Sequence, residues 1–165
     1  VREQLKIRFP GVLAVLALVT ACGTGVPAGL PDKVESGCPG LLKPEPLAVI
    51  TKGFEVSQVN SEEADSCQVF VSTGKKVLSP GLVAYASQEE SERLTPMLCT
   101  SGLLDSATKS CEVSRSKDQE LSVHAVAGRW NVRVSVYDVP VNDGIKEAVQ
   151  QIVEDLRNSD KTRNT

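Results

Sequence analysis

Leu121-Ser122-Val123-His124-Ala125 and Trp130-Asn131-Val132-Arg133-Val134-Ser135-Val136-Tyr137 carry the strongest structural signal in the chain. Apolar and polar residues alternate in both, with Gly128 between them. Side chains of a strand point alternately to its two faces, so each run has one apolar and one polar face. Two such runs joined at a glycine predict an antiparallel hairpin buried on one side.

On the C-terminal side, Asn142 or Asp143 is placed to cap a helix. Ile145, Ala148, Val149, Ile152, Val153 and Leu156 follow at helical spacing, which predicts a buried stripe. Residues 158–165 are polar and predict a frayed, disordered tail.

On the N-terminal side, Cys67, Val69 and Val71 alternate as a strand, Gly74 marks a turn, and residues 82–86 read as a second strand. Ser87 and Glu90 form a capping box before a helix that starts at Gln88 and is disturbed near Pro96. Residues 108–113 are a candidate third strand bearing Cys111. Pro44 suits the first turn of a short helix through Ile50, with Leu47 and Ile50 buried and Gly53 as its stop. Residues 55–66 are polar and acidic and read as a loop. Helices and hairpins in this order predict an α+β fold, with one antiparallel sheet covered on its apolar face by helices.

The N-terminal end reads differently. Arg2, Lys6 and Arg8 precede an apolar run over residues 11–21. A basic start and a short apolar stretch before small residues read as a secretory signal. The run is too short to span a bilayer. It ends in Val19-Thr20-Ala21-Cys22, which resembles a bacterial lipobox, where the cysteine thiol receives a diacylglycerol and the chain is cut before it. This assigns residues 1–21 to a signal peptide, 22–37 to a lipidated flexible tether rich in Gly and Pro, and 38–157 to the α+β domain. Val1 fits a non-AUG start codon of a high-GC bacterium. The expected location is the extracytoplasmic face of the cell membrane, held by lipid on Cys22.

Loss of Arg2, Glu3, Lys6 and Arg8 with the leader takes 18 basic and 21 acidic residues to 15 and 20. A chain this acidic has no electrostatic reason to bind nucleic acid.

Four cysteines remain beside Cys22: Cys38, Cys67, Cys99 and Cys111. An even number in an exported chain reads as two disulfides. Three connectivities are possible, and the sequential one, Cys38 with Cys67 and Cys99 with Cys111, closes the shortest loops. No C-x-x-C pair is present and His124 is the only histidine, which argues against a zinc knuckle or thioredoxin chemistry.

The segment Cys38-Pro39-Gly40-Leu41-Leu42-Lys43-Pro44, continuing through Leu47 and Gly53 to Ser66-Cys67-Gln68-Val69, resembles actinobacterial secreted lipoproteins of unknown function. Their mature domain opens with a cysteine, two leucines, a proline-led helix and a second cysteine at a strand start. The resemblance covers about thirty residues. It implies a Cys38–Cys67 bridge and an envelope location, and it brings no catalytic residues.

No catalytic constellation is complete. The G-x-S-x-G elbow is absent. Ser72-Thr73-Gly74-Lys75 and Ser106-Ala107-Thr108-Lys109 both match S-x-x-K, but without its companion boxes. Glu62, Glu63 and Asp65, and separately Glu89, Glu90 and Glu92, read as a solvated loop and a helix start rather than cation sites. Asn142-Asp143-Gly144 reads as a cap, not a calcium loop. No metal or cofactor is expected. The polar face of the hairpin, with His124, Asn131, Arg133 and Tyr137, is the candidate binding surface. The leading expectation is a non-enzymatic envelope lipoprotein that binds a protein, glycan or small molecule. The alternatives are a lipid carrier with an apolar pocket and a small hydrolase using His124 with a carboxylate.

Overall fold

The hairpin forms as its alternation dictates. In the computed structural model, which describes residues 25–113 and 119–164, β5 (Gln119–Ala127) and β6 (Trp130–Tyr137) pair antiparallel. Val123 stands opposite Val134, and Ala125 opposite Val132. The other edge of β6 pairs with β3 (Lys76–Ala84). With β1 (Val56–Glu63), β2 (Ser66–Val71) and β4 (Ser110–Glu112), they make one open six-stranded antiparallel sheet, ordered β1-β2-β3-β6-β5-β4. The segment 1–21 and Cys22 lie outside the described residues.

Trp130, Val132, Val134 and Val136 share the apolar face with Leu78, Leu82, Leu121 and Val123, and all are buried. The helix α4 (Asp143–Arg157) lays Ile145, Val149, Ile152, Val153 and Leu156 on that face. The Asn142 side chain caps it, accepting a hydrogen bond from the Ile145 N–H at 3.0 Å. The helix α2 (Pro44–Ile50) packs on α4 and buries Leu47 and Ile50. The helix α3 (Gln88–Leu98) crosses the polar face instead. There the Ser91 hydroxyl donates to the Trp130 carbonyl at 3.1 Å, and the Asn131 amide donates to the Thr95 hydroxyl at 3.1 Å. Its capping box is present, with the Glu90 N–H donating to the Ser87 Oγ at 3.1 Å. Pro96 sits in the last turn, close enough to the end for the helix to run on to Leu98.

Both disulfides follow the sequential pairing. Cys38–Cys67 ties the N-terminal segment to β2, and Cys99–Cys111 ties the end of α3 to β4. Their Cα–Cα separations are 5.9 and 5.6 Å, normal for a bridge.

Three expectations need correction. Residues 55–66 are not a loop: β1 is an edge strand whose exposed side is polar, and only Val56 and Val59 turn into the core. One free face and bulges near both ends erase the period-2 pattern. Residues 22–37 are not a tether throughout. A helix, α1 (Leu30–Gly37), packs on β1 and buries Leu30 and Val34, while Val26 also touches the core. One apolar pair four residues apart is too short a stripe to stand out among Gly and Pro. The tail 158–165 is not frayed over its described residues. A short helix, α5 (Asp160–Arg163), buries Thr162, whose hydroxyl lies 3.0 Å from the Leu156 carbonyl at the end of α4. Lys161 also pairs with Asp65 in the β1–β2 connection.

Candidate functional site

The polar face of β6 presents Asn131, Arg133, Ser135 and Tyr137 in alternation with the buried valines. Its neighbours follow from the register. His124 of β5 stands opposite Arg133, and Ser122 opposite Ser135, while Ser79 and Gly81 of β3 face Ser135 and Arg133 from the other side. The Ser122 and Ser135 hydroxyls are 2.7 Å apart and both residues are buried, so these two polar groups satisfy each other. The Ser79 hydroxyl donates to the Cys67 carbonyl at 3.2 Å.

The four surface residues expected from sequence therefore separate. Asn131 is only 1% exposed, because α3 lies over it and Thr95 takes its amide hydrogen. It joins layers and presents nothing to a ligand, so its place in a binding surface is corrected. His124 is partly covered, and its side chain hydrogen-bonds to that of Asn131. Its strand neighbour on the β4 side is Cys111, half of a disulfide. Arg133 is exposed. Gly81 leaves room for it: a Cβ there would stand 3.5 Å from the Arg133 Nε. Tyr137 is half-buried, with the Lys76 ammonium 4.6 Å from its ring centroid, a cation–π contact. What stays open is an Arg133, Tyr137 and Lys76 patch, flanked by α3.

Burial lowers the His124 pKa to about 4; the charge of Arg133 adds to this, and the Asn131 hydrogen bond opposes it. The imidazole is thus neutral at pH 7, with one N–H and without the second proton of the imidazolium acid. Its Nδ1 is buried with no hydrogen-bond partner among the described residues.

The remaining motifs settle into structural roles. Ser72-Thr73-Gly74-Lys75 forms the β2–β3 turn. In Ser106-Ala107-Thr108-Lys109 the preceding Asp105 carboxylate accepts from the Thr108 N–H at 2.8 Å, the Thr108 hydroxyl at 3.0 Å and the Ala107 N–H at 3.0 Å, and these bonds lower its pKa. That is a side-chain-capped turn, with Lys109 at φ 51°. Among the described residues no group of three or more His, Cys, Asp or Glu is placed to hold a metal ion. No described helix is long and apolar enough to cross a membrane.

Two open grooves on the helical side have no counterpart in the sequence reading. One of about 460 Å³ runs between Pro39, Lys43, Asp155, Ser159 and Arg163. The other, about 690 Å³, lies between α2 and α4, lined by Pro46, Val49, Gly144 and Ala148. The Lys43–Asp155 ion pair at 2.7 Å separates them. The first depends on α5 docking, which no periodicity announces.

No protein-family model matches the chain, and no curated protein or solved structure matches it.

Proposed function

We propose that the chain is a lipid-anchored protein of the extracytoplasmic membrane face, the location that the actinobacterial lipoprotein resemblance implies, and that its domain has a non-enzymatic binding or accessory role. The observation that carries the location is Val19-Thr20-Ala21-Cys22 behind a basic, apolar leader. Two disulfides in a small domain agree with an oxidising compartment.

A binding role is favoured over the alternatives by the state of the interior and of His124. The layer between sheet and helices is filled by side chains buried against one another, including Val132, Val134, Val149 and Ile152, which argues against a carrier's apolar pocket. His124 is linked to Asn131 and faces Arg133, where a hydrolase would set a carboxylate beside its base. The ligand-facing group we favour is Arg133 with Tyr137, which suits an acidic or hydroxyl-bearing partner.

Detergent phase separation of native and Cys22→Ala protein tests the anchor. Native protein is expected in the detergent phase and the variant in the aqueous phase or as uncut precursor. Native Cys22 found without added acyl mass overturns the reading. Site-specific photocrosslinking from position 133, in intact cells, tests the binding face. A discrete adduct lost in Tyr137→Ala supports it, and no adduct from 133 removes it.

A further inference from the structure

We infer that one end of the sheet, marked by Phe54 and Val49, rests on the bilayer that holds the Cys22 lipid; this deepens, and rests on, the lipid-anchor reading. Val26 already packs against the core, so only four residue steps separate it from Cys22. Whatever their conformation, four residues span at most about 14 Å. A domain of this size has a radius of gyration of about 14 Å. The anchor is therefore no longer than the body it holds, and one face must stay against the headgroups.

The direction of α1 says which face. Lys33 donates its ammonium to the Val56 carbonyl at 2.5 Å, and Gly37 lies against Val59. So α1 runs beside β1 in the same sense, and its N-terminal end is level with the turn that precedes β1. That turn, residues 51–55, carries Phe54 at 41% exposure. The Ser72 N–H donates to the Glu55 carbonyl at 2.8 Å, which brings the β2–β3 turn and Lys75 to the same end. Val49, 45% exposed, lies by Gly144 at the start of α4, which follows the end of β6. In this antiparallel sheet β1 starts where β6 ends. The end thus offers two exposed apolar side chains, with Lys52 and Glu55 in the same turn as Phe54 and Lys75 in an ion pair with Asp138 at 3.4 Å. An exposed aromatic beside an exposed aliphatic side chain suits the apolar side of the headgroup layer, and contact there rests on those two groups and not on net charge.

A second exposed apolar group, Met97 and Leu103, competes on exposure but not on position. It belongs to α3 and the loop before β4, and β4 is the far edge of the sheet from β1. Cys99 bridges Val113, whose N–H donates to the Ser122 carbonyl, so this group is level with the middle of β5 and not with the end where β1 starts.

The test uses full-length protein purified with its lipid and placed in phosphatidylcholine–phosphatidylglycerol vesicles with brominated acyl chains, which quench nearby tryptophan. Phe54→Trp and Met97→Trp are compared with the parent, whose Trp130 is buried. Both sites are exposed enough to accept the change, and melting curves check folding. The tryptophan at 54 is expected to be quenched at least about twofold more than that at 97, as for an aromatic at the interface. Equal quenching at both sites, or stronger quenching at 97, overturns the orientation. No quenching at either, with acyl mass present on Cys22, overturns the docking and leaves the anchor reading intact. Absence of acyl mass overturns both.

Discussion

Gly37 lies so close to Val59 that a Cβ on it would stand 2.0 Å from the Val59 carbonyl oxygen. The obstacle is backbone of β1, which cannot swing aside as a side chain would. Gly37 is thus the residue that lets α1 dock on the sheet edge. We predict that Gly37→Ala destabilises the domain by about 1–3 kcal/mol, the usual cost of overpacking. Gly25→Ala, where nothing lies within 4 Å of the new methyl, is the control and should be neutral. Urea unfolding of both variants checks this. Equal midpoints for Gly37→Ala and the native protein would show that α1 is not held against β1.

The C-terminal segment should also prove structural. Thr162 is buried, with its hydroxyl 3.0 Å from the Leu156 carbonyl in the last turn of α4 and 3.1 Å from the Ser159 carbonyl at the start of α5. Deleting residues 158–165 removes those contacts and uncovers Leu156. The expected loss is about 1–3 kcal/mol. A thermal melt of the deletion variant measures it, and an unchanged midpoint would mean that α5 adds nothing to the fold.

These two segments mark the limit of what the sequence discloses. The β5–β6 hairpin and α4 were legible because each repeats one simple period over many residues, with Val132, Val134 and Val136 or Ile145, Val149 and Ile152 as its record. The disulfide pairing was legible because the shortest loops are also the ones that neighbouring elements can close. α1 and α5 bury two residues and one, so their evidence is tertiary: a glycine that fits a backbone and a threonine that fits a helix end. The covering of Asn131 was hidden for a related reason. Alternation assigns a residue to a face but does not say that α3 will lie over that face.

The two bridges should not contribute equally. In a loop-entropy picture stabilisation grows with the loop closed, and the sequence separations are 29 for Cys38–Cys67 and 12 for Cys99–Cys111. That gives about 3.6 and about 2.8 kcal/mol. Paired replacement by alanine of Cys38 with Cys67, and separately of Cys99 with Cys111, is expected to lower stability in that order. The reverse order in urea unfolding would mean that strain or residual structure outweighs loop length.

His124 gives the chain a pH dependence whose sign is fixed. Its folded pKa is about 4, below the ordinary 6.5. Above pH 6.5 the imidazole is neutral in both states and its contribution is complete. Between 6.5 and 4 the unfolded chain takes up the proton and the folded chain does not, so stability falls with pH. Below 4 both states are protonated and the loss stops growing. A shift of this size corresponds to at most about 3 kcal/mol, less what remaining solvent contact screens. The chain has one histidine, so its NMR titration is unambiguous. Arg133→Gln should raise the measured pKa by removing a nearby positive charge, though not to 6.5, because burial is the larger cause. In His124→Gln, the fall in stability from pH 7 to pH 4.5 should be smaller than in the native protein. A native titration midpoint near 6.5, or identical pH profiles for the two proteins, would show that the imidazole is solvated and that α3 does not cover it.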